Sequence, residues 1–261
     1  MGENKRKIIT RYRIFYELRN IMGNPFVHIF GVGMPVMMSV LITKIAVSQI
    51  SDATMEKTIS TTIFLGIGAM IPMATILMGY SVLQAQELEK GIPERLQLFG
   101  IRGSVTICNR GIAELIFMSV AFGIYFVVGI LFMELEKPKF SGILLYIVCM
   151  LFFSILCFGL GHAIASIIKK FSVTYCVVMI VYFACMIFGG MMGISYENMP
   201  STMQMIAKLL PVTYFNKDFF TIWTGQAYNF MPMIQSYLFF GAVAGILLLL
   251  AMQKEAGKTA L

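Results

Sequence analysis

The chain has 261 residues, of which 58% are hydrophobic and 13% charged, with 20 Lys and Arg against 13 Asp and Glu for a net charge of +7. Soluble domains average about 25% charged residues and present a largely polar skin, and disorder requires low hydrophobicity, so both classes are excluded. What remains is an all-α polytopic membrane protein: its long apolar runs are continuous, without the alternation of barrel strands, and helices satisfy their own backbone in lipid.

Residues 1–25 form a polar N-terminal segment. Within it Thr10, Arg13, Glu17 and Asn20 recur at helical spacing, while Ile8, Tyr12, Phe15 and Met22 supply an apolar side, predicting a helix lying in the membrane interface. Gly23, Asn24 and Pro25 then turn the chain toward the bilayer. The first apolar run starts too late and runs too long for a cleaved signal peptide.

A charge at the centre of a span costs about 2.5–3.5 kcal/mol on insertion scales, so uncharged runs mark the crossings. They predict spans at about 26–47, 59–84, 107–133, 141–168, 171–195 and 231–252, making 26–253 one transmembrane domain and 254–261 a tail. Pro35 and Pro72 predict bends in spans one and two. Gly189 with Gly193, and Gly241 with Gly245, permit close helix contact, either within the chain or along a dimer seam.

The connection between spans two and three carries the densest polar chemistry. Gln86, Glu87, Leu88, Glu89 and Lys90 lead to Gly91, which breaks the helix leaving the membrane. Pro93 suits the first turn of a new helix, Glu94 its positive end, Leu96 and Phe99 one of its sides with Leu98 beside them, and Gly100 its close. On these grounds the segment is either a docking knob for another protein or a plain connector.

Five cysteines lie in or beside spans without metal-type spacing and read as small apolar residues. The 35 or so residues after Tyr196 predict one or two short helices, with Tyr196, Tyr214, Trp223 and Tyr228 as an interfacial aromatic belt. Alternating the spans puts 14 basic residues on the side of the termini, including Arg95, Arg102, Lys169 and Lys170, and six on the other. Both termini are therefore expected in the cytoplasm. Anionic lipid explains the positive charge without a nucleic-acid partner.

Two segments together resemble the membrane subunit of ABC-2 type exporters. That family opens with an interfacial "elbow" helix, has six spans, and carries a first cytoplasmic loop of the form E-x-E-x-G-T-x-E-x-L. Glu87, Glu89, Gly91, Glu94 and Leu96 match it, whereas Ile92-Pro93 and Gly100 depart from it. The second segment is Phe188-Gly189-Gly190, then Met199-Pro200, then Leu210-Pro211-Val212-Thr213-Tyr214, similar to the family's L-P-x-T-Y. The resemblance implies a coupling helix around Pro93–Phe99, including Arg95 and Leu98, that seats on a separate ABC ATPase. It further implies a second permease subunit, identical or related, and export of an amphipathic drug, peptide or lipid-linked compound. ATP and Mg would bind the ATPase, since the sequence holds no G-x-x-x-x-G-K-S/T loop.

The remaining polar residues point to no enzyme. Glu114 follows Arg110 by one helical turn, predicting an ion pair. His28 and His162 lack neighbours at ligand spacing and read as polar packing. No paired catalytic groups suit an intramembrane protease, and no string of acids suits an ion-coupled carrier. An ATP-independent channel, a secondary carrier or a non-transporting immunity permease stay open as alternatives.

Overall fold

The computed structural model describes residues 11–48, 50–192 and 194–259. In chain order the helices are α1 (Arg11–Met22), α2 (Pro25–Val47), α3 (Ala53–Glu89), α4 (Ile92–Leu98), α5 (Gly103–Phe132), α6 (Phe140–Ile168), α7 (Phe171–Phe188), α8 (Ser201–Ala207), α9 (Pro211–Lys217), α10 (Phe219–Trp223) and α11 (Met231–Thr259). Among the described residues, six of them, α2, α3, α5, α6, α7 and α11, are long and apolar enough to cross a membrane. The chain is an all-α, multi-pass membrane protein. Gly193, and the Ile8 and Thr10 end of the amphipathic stretch, lie outside the described residues.

The helix ends follow local chemistry rather than the limits of the apolar runs. α3 starts well before 59 because Asp52 caps it, accepting the Thr54 N–H at 2.8 Å. α7 stops at Phe188, short of the expected 195. There Gly190 takes φ +74° while the Met191 N–H reaches back to the Met186 carbonyl at 3.0 Å, a left-handed closure that glycine adopts without strain.

α3 is the axis of the bundle. Nearly all of its apolar stretch is enclosed by other helices, whereas the other five spans expose most of theirs. α2 and α7 flank α3, α6 packs along it, and α11 lies on the far side of α6. We call the end carrying α1 and α4 basal and the end carrying α8–α10 distal.

The centre of α3 is not a regular α-helix. Ala69 turns its N–H to Gly66 at 3.1 Å, Pro72 has no N–H, and Met73–Tyr80 continues in wider π-helical turns. The Leu65 carbonyl, whose ordinary helical donor is the Ala69 N–H, accepts instead from Tyr146 Oη at 3.1 Å, and Tyr125 Oη donates to the Phe64 carbonyl at 2.7 Å. Thr75 Oγ1 donates to Ile71 at 2.8 Å, and Ser81 Oγ donates to Leu77. Hydroxyls thus satisfy backbone acceptors that lipid could not. α2 has a matching π-helical turn, Ile29–Gly33, ahead of Pro35.

Among the described residues of the distal end, three short α-helices follow a 3₁₀ turn at Tyr196–Asn198, more than the one or two helices expected, and fold back onto the bundle. Trp223 and Tyr214 are buried there rather than arrayed in an interfacial belt, because partners inside the protein claim their polar tips. Trp223 Nε1 donates to the Glu136 carbonyl at 3.0 Å and Tyr214 Oη to the Lys208 carbonyl at 3.0 Å. The Tyr146 ring meets Phe215, Phe219 and Trp223 edge-on within 6.0 Å. Thr213 Oγ1 lies 2.7 Å from the Ala207 carbonyl and 3.3 Å from that of Phe188, and Asn216 Nδ2 donates to the Gly189 and Gly190 carbonyls. The Pro211–Asn216 segment therefore caps the open carbonyl ends of both α7 and α8.

Candidate functional site

The basal end is organised around one buried cation. Arg110, from α5, is 2% exposed, and three guanidinium nitrogens each face a partner from another helix. Nε donates to Glu17 Oε2 of α1 at 2.9 Å, Nη1 to Gln84 Oε1 of α3 at 2.9 Å, and Nη2 to both carboxylate oxygens of Glu87, also on α3, at 2.8 Å. A buried guanidinium is retained only when its fork is matched by acceptors. Here the match joins α1 to the two spans that flank α4.

This arrangement corrects two expectations. The Arg110–Glu114 pair does not form: Arg110 faces Glu17, Gln84 and Glu87, and Glu114 is buried with Oε2 lacking a hydrogen-bond partner among the described residues. Nor does the polar stripe of α1 face water throughout: Arg13 and Asn20 are partly exposed, but Glu17 is buried. Glu17 turns inward with Ile14, Leu18 and Ile21 against Ala113 and Phe117, leaving Tyr12, Phe15 and Tyr16 exposed on the outer side. The reason for both is the demand of a buried Arg110 for anions. Neighbouring polar groups pair locally: His162 Nδ1 lies 2.6 Å from Tyr80 Oη, and His28 Nε2 lies 2.7 Å from the Met22 carbonyl.

α4 hangs directly from this centre. Glu87 sits in the Arg110 cluster, and Glu89, one half-turn on, places Oε2 2.8 Å from the Phe171 N–H. That carboxylate satisfies an open donor at the start of α7 and complements the positive end of its dipole. Gly91 at φ +65° ends α3 and redirects the chain. Pro93 opens α4, with Glu94 in its first turn. Gly100, at φ +75°, closes it, with the Ile101 N–H on the Leu96 carbonyl at 3.0 Å.

The side chains of α4 divide differently from the sequence expectation. Leu96 is half-buried over a small cavity of about 110 Å³ shared with Glu87, His162 and Ser166, so it does not share a side with Phe99. Leu98 and Phe99 stand 88% and 80% exposed, flanked by exposed Glu94 and Arg95. Two large apolar side chains on a capped helix beyond the ends of the spans form a surface suited to a partner protein.

Gly189 is buried within the chain, where a Cβ would press on Val212 of α9. Gly241 lies against Leu156, and a Cβ on Gly245 would meet nothing among the described residues within 4 Å. Tighter helix contacts lie elsewhere. Gly31 of α2 sits against Thr75, Gly79 of α3 against Val27, and Gly161 of α6 against Ser81. These glycines let α2 and α6 close on the irregular part of α3, and spacing along one helix does not reveal them because each faces a residue on another helix.

Neither a curated protein nor a solved structure matches the chain. A family model does match: that of the ABC-2 type transporter, over residues 12–222, from the first turn of α1 through α10. That span covers the elbow position, the Arg110 centre, α4 and the distal cap, and the protein belongs to the ABC-2 type transporter family as its membrane-spanning permease.

Proposed function

We propose that this permease is the membrane half of an ATP-driven exporter. A separate ABC ATPase docks on α4 from the cytoplasm, where both chain termini and the excess of basic residues lie, and a second permease subunit completes the pathway. The cargo is amphipathic, and ATP and Mg belong to the ATPase. The observation that carries this reading is α4 itself: Leu98 and Phe99 are exposed together on a short helix bounded by the left-handed Gly91 and Gly100, whose root, Glu87, is bonded to the buried Arg110. Movement imposed on α4 passes through Glu87 and Glu89 into α3, α5, α1 and the start of α7, because each is tied by a hydrogen bond.

The test is co-purification followed by transport. The wild-type permease carries an ABC ATPase through mild-detergent purification, and Leu98→Asp with Phe99→Asp abolishes that association. The melting temperature of the permease stays within about a degree, since both side chains are exposed and such surface changes move stability by less than about 0.5 kcal/mol. An ATPase that stays bound to the double variant, or cargo movement that persists after ATP depletion, overturns the reading.

A further inference from the structure

A pocket of about 550 Å³ opens between the end of α1, the start of α2, the basal half of α3 and the start of α7. Its floor is α3, where Met78 and Gly79 are buried. Its walls are aromatic: Phe26 meets Tyr175 edge-on at 6.1 Å, and Tyr175 stacks on Phe171 at 6.2 Å. At the basal rim stand Arg19, Asn20 and Gln86, none of whose side chains takes part in a hydrogen bond or ion pair among the described residues. The nearby acid, Glu89, is already engaged by the Phe171 N–H.

This combination is directional. An apolar, aromatic depth of this size suits a hydrocarbon or ring system, since ligand pockets run to about 300–1,000 Å³ with a few converging polar groups. The rim offers one cation and two side-chain amides with free donors, and an arginine fork matches the geometry of carboxylate and phosphate. In a spanning chain the rim lies level with the interfacial helix α1, where lipid headgroups sit, and the depth runs beside α2 and α7 toward the hydrocarbon. We propose that the pocket binds an anionic amphiphile, its phosphate or carboxylate on Arg19, Asn20 and Gln86 and its apolar part between Phe26, Tyr175 and Met78. As the place where cargo loads from the inner leaflet it rests on the exporter reading; as a binding site it stands alone.

Native mass spectrometry of the permease released from a neutral detergent tests it, with three probes. Lysophosphatidylglycerol supplies both an anionic head and a tail, lysophosphatidylcholine the same tail with a zwitterionic head, and glycerol 3-phosphate the anion alone. One lysophosphatidylglycerol binds per chain, lysophosphatidylcholine binds about tenfold more weakly, and glycerol 3-phosphate does not compete. Arg19→Gln and Tyr175→Ala each weaken the first by about tenfold while the melting temperature of Arg19→Gln is unchanged, because Arg19 is exposed and unbonded. Equal binding of the two lysolipids, competition by glycerol 3-phosphate, or an Arg19→Gln protein that binds like wild type overturns the proposal. Binding is read without ATP, so loss of the ATPase partnership leaves these outcomes intact, and loss of the lysolipid preference leaves the exporter reading standing.

Discussion

Removing the Arg110 guanidinium strands two carboxylates, Glu17 and Glu87, in a site where Arg110 is 2% exposed. Breaking a buried ion pair from one side costs about 3–5 kcal/mol, while replacing every charged member by apolar groups of similar volume is often neutral. Arg110→Gln is therefore expected to lower the melting temperature sharply, and the triple variant Arg110→Met, Glu17→Leu, Glu87→Leu to recover most of the loss. Thermal unfolding in detergent measures both. The triple variant also separates stability from coupling, since a folded permease without the cluster should bind its ATPase yet transport poorly. The cluster was hard to read in the sequence for a physical reason. Arg110 has a local acid one turn away, Glu114, but its partners come from 93, 26 and 23 residues distant, and only tertiary packing brings them together.

Helix ends decide the geometry of α4 and of the distal cap. Gly91 and Gly100 hold φ of +65° and +75° on either side of a seven-residue helix. A side chain in the left-handed region costs about 1–2 kcal/mol per residue. Gly100→Val should leave the spans folded but misdirect α4, lowering ATPase association more than it lowers the melting temperature; a pull-down and a melting curve on one preparation check this. At the other end, Thr213→Val removes the hydroxyl that serves the Ala207 and Phe188 carbonyls. Loss of a buried hydrogen bond with its acceptor left open costs about 1–3 kcal/mol, and faster amide exchange over residues 186–191 should follow. Both glycines were legible in the sequence, since a turn residue announces its local conformation, whereas the L-P-x-T-Y stretch was legible only through its resemblance to the family. The inward face of α1 was not, because amphipathicity shows that two sides exist and cannot say which one the protein claims.

For the whole molecule, the six crossings and their all-α character were plain from the uncharged runs, since hydropathy acts over the same length that a bilayer imposes. The placement of α3 at the axis was not, because α3 is no more apolar than α2, whose flank stays open. What distinguishes α3 is its content of Gly, Thr, Ser and interrupted turns, which other helices must complete. That dependence bears on biogenesis. The chain enters the membrane in order, so α3 arrives before α5 and α6 exist, and the Leu65 carbonyl waits in lipid or translocon for a hydroxyl from Tyr146, 81 residues later. An unsatisfied backbone group in hydrocarbon costs several kcal/mol. The axis of the transporter is consequently the last part to settle, and a nascent permease arrested before its fourth span exposes the very helix that the finished protein hides most completely.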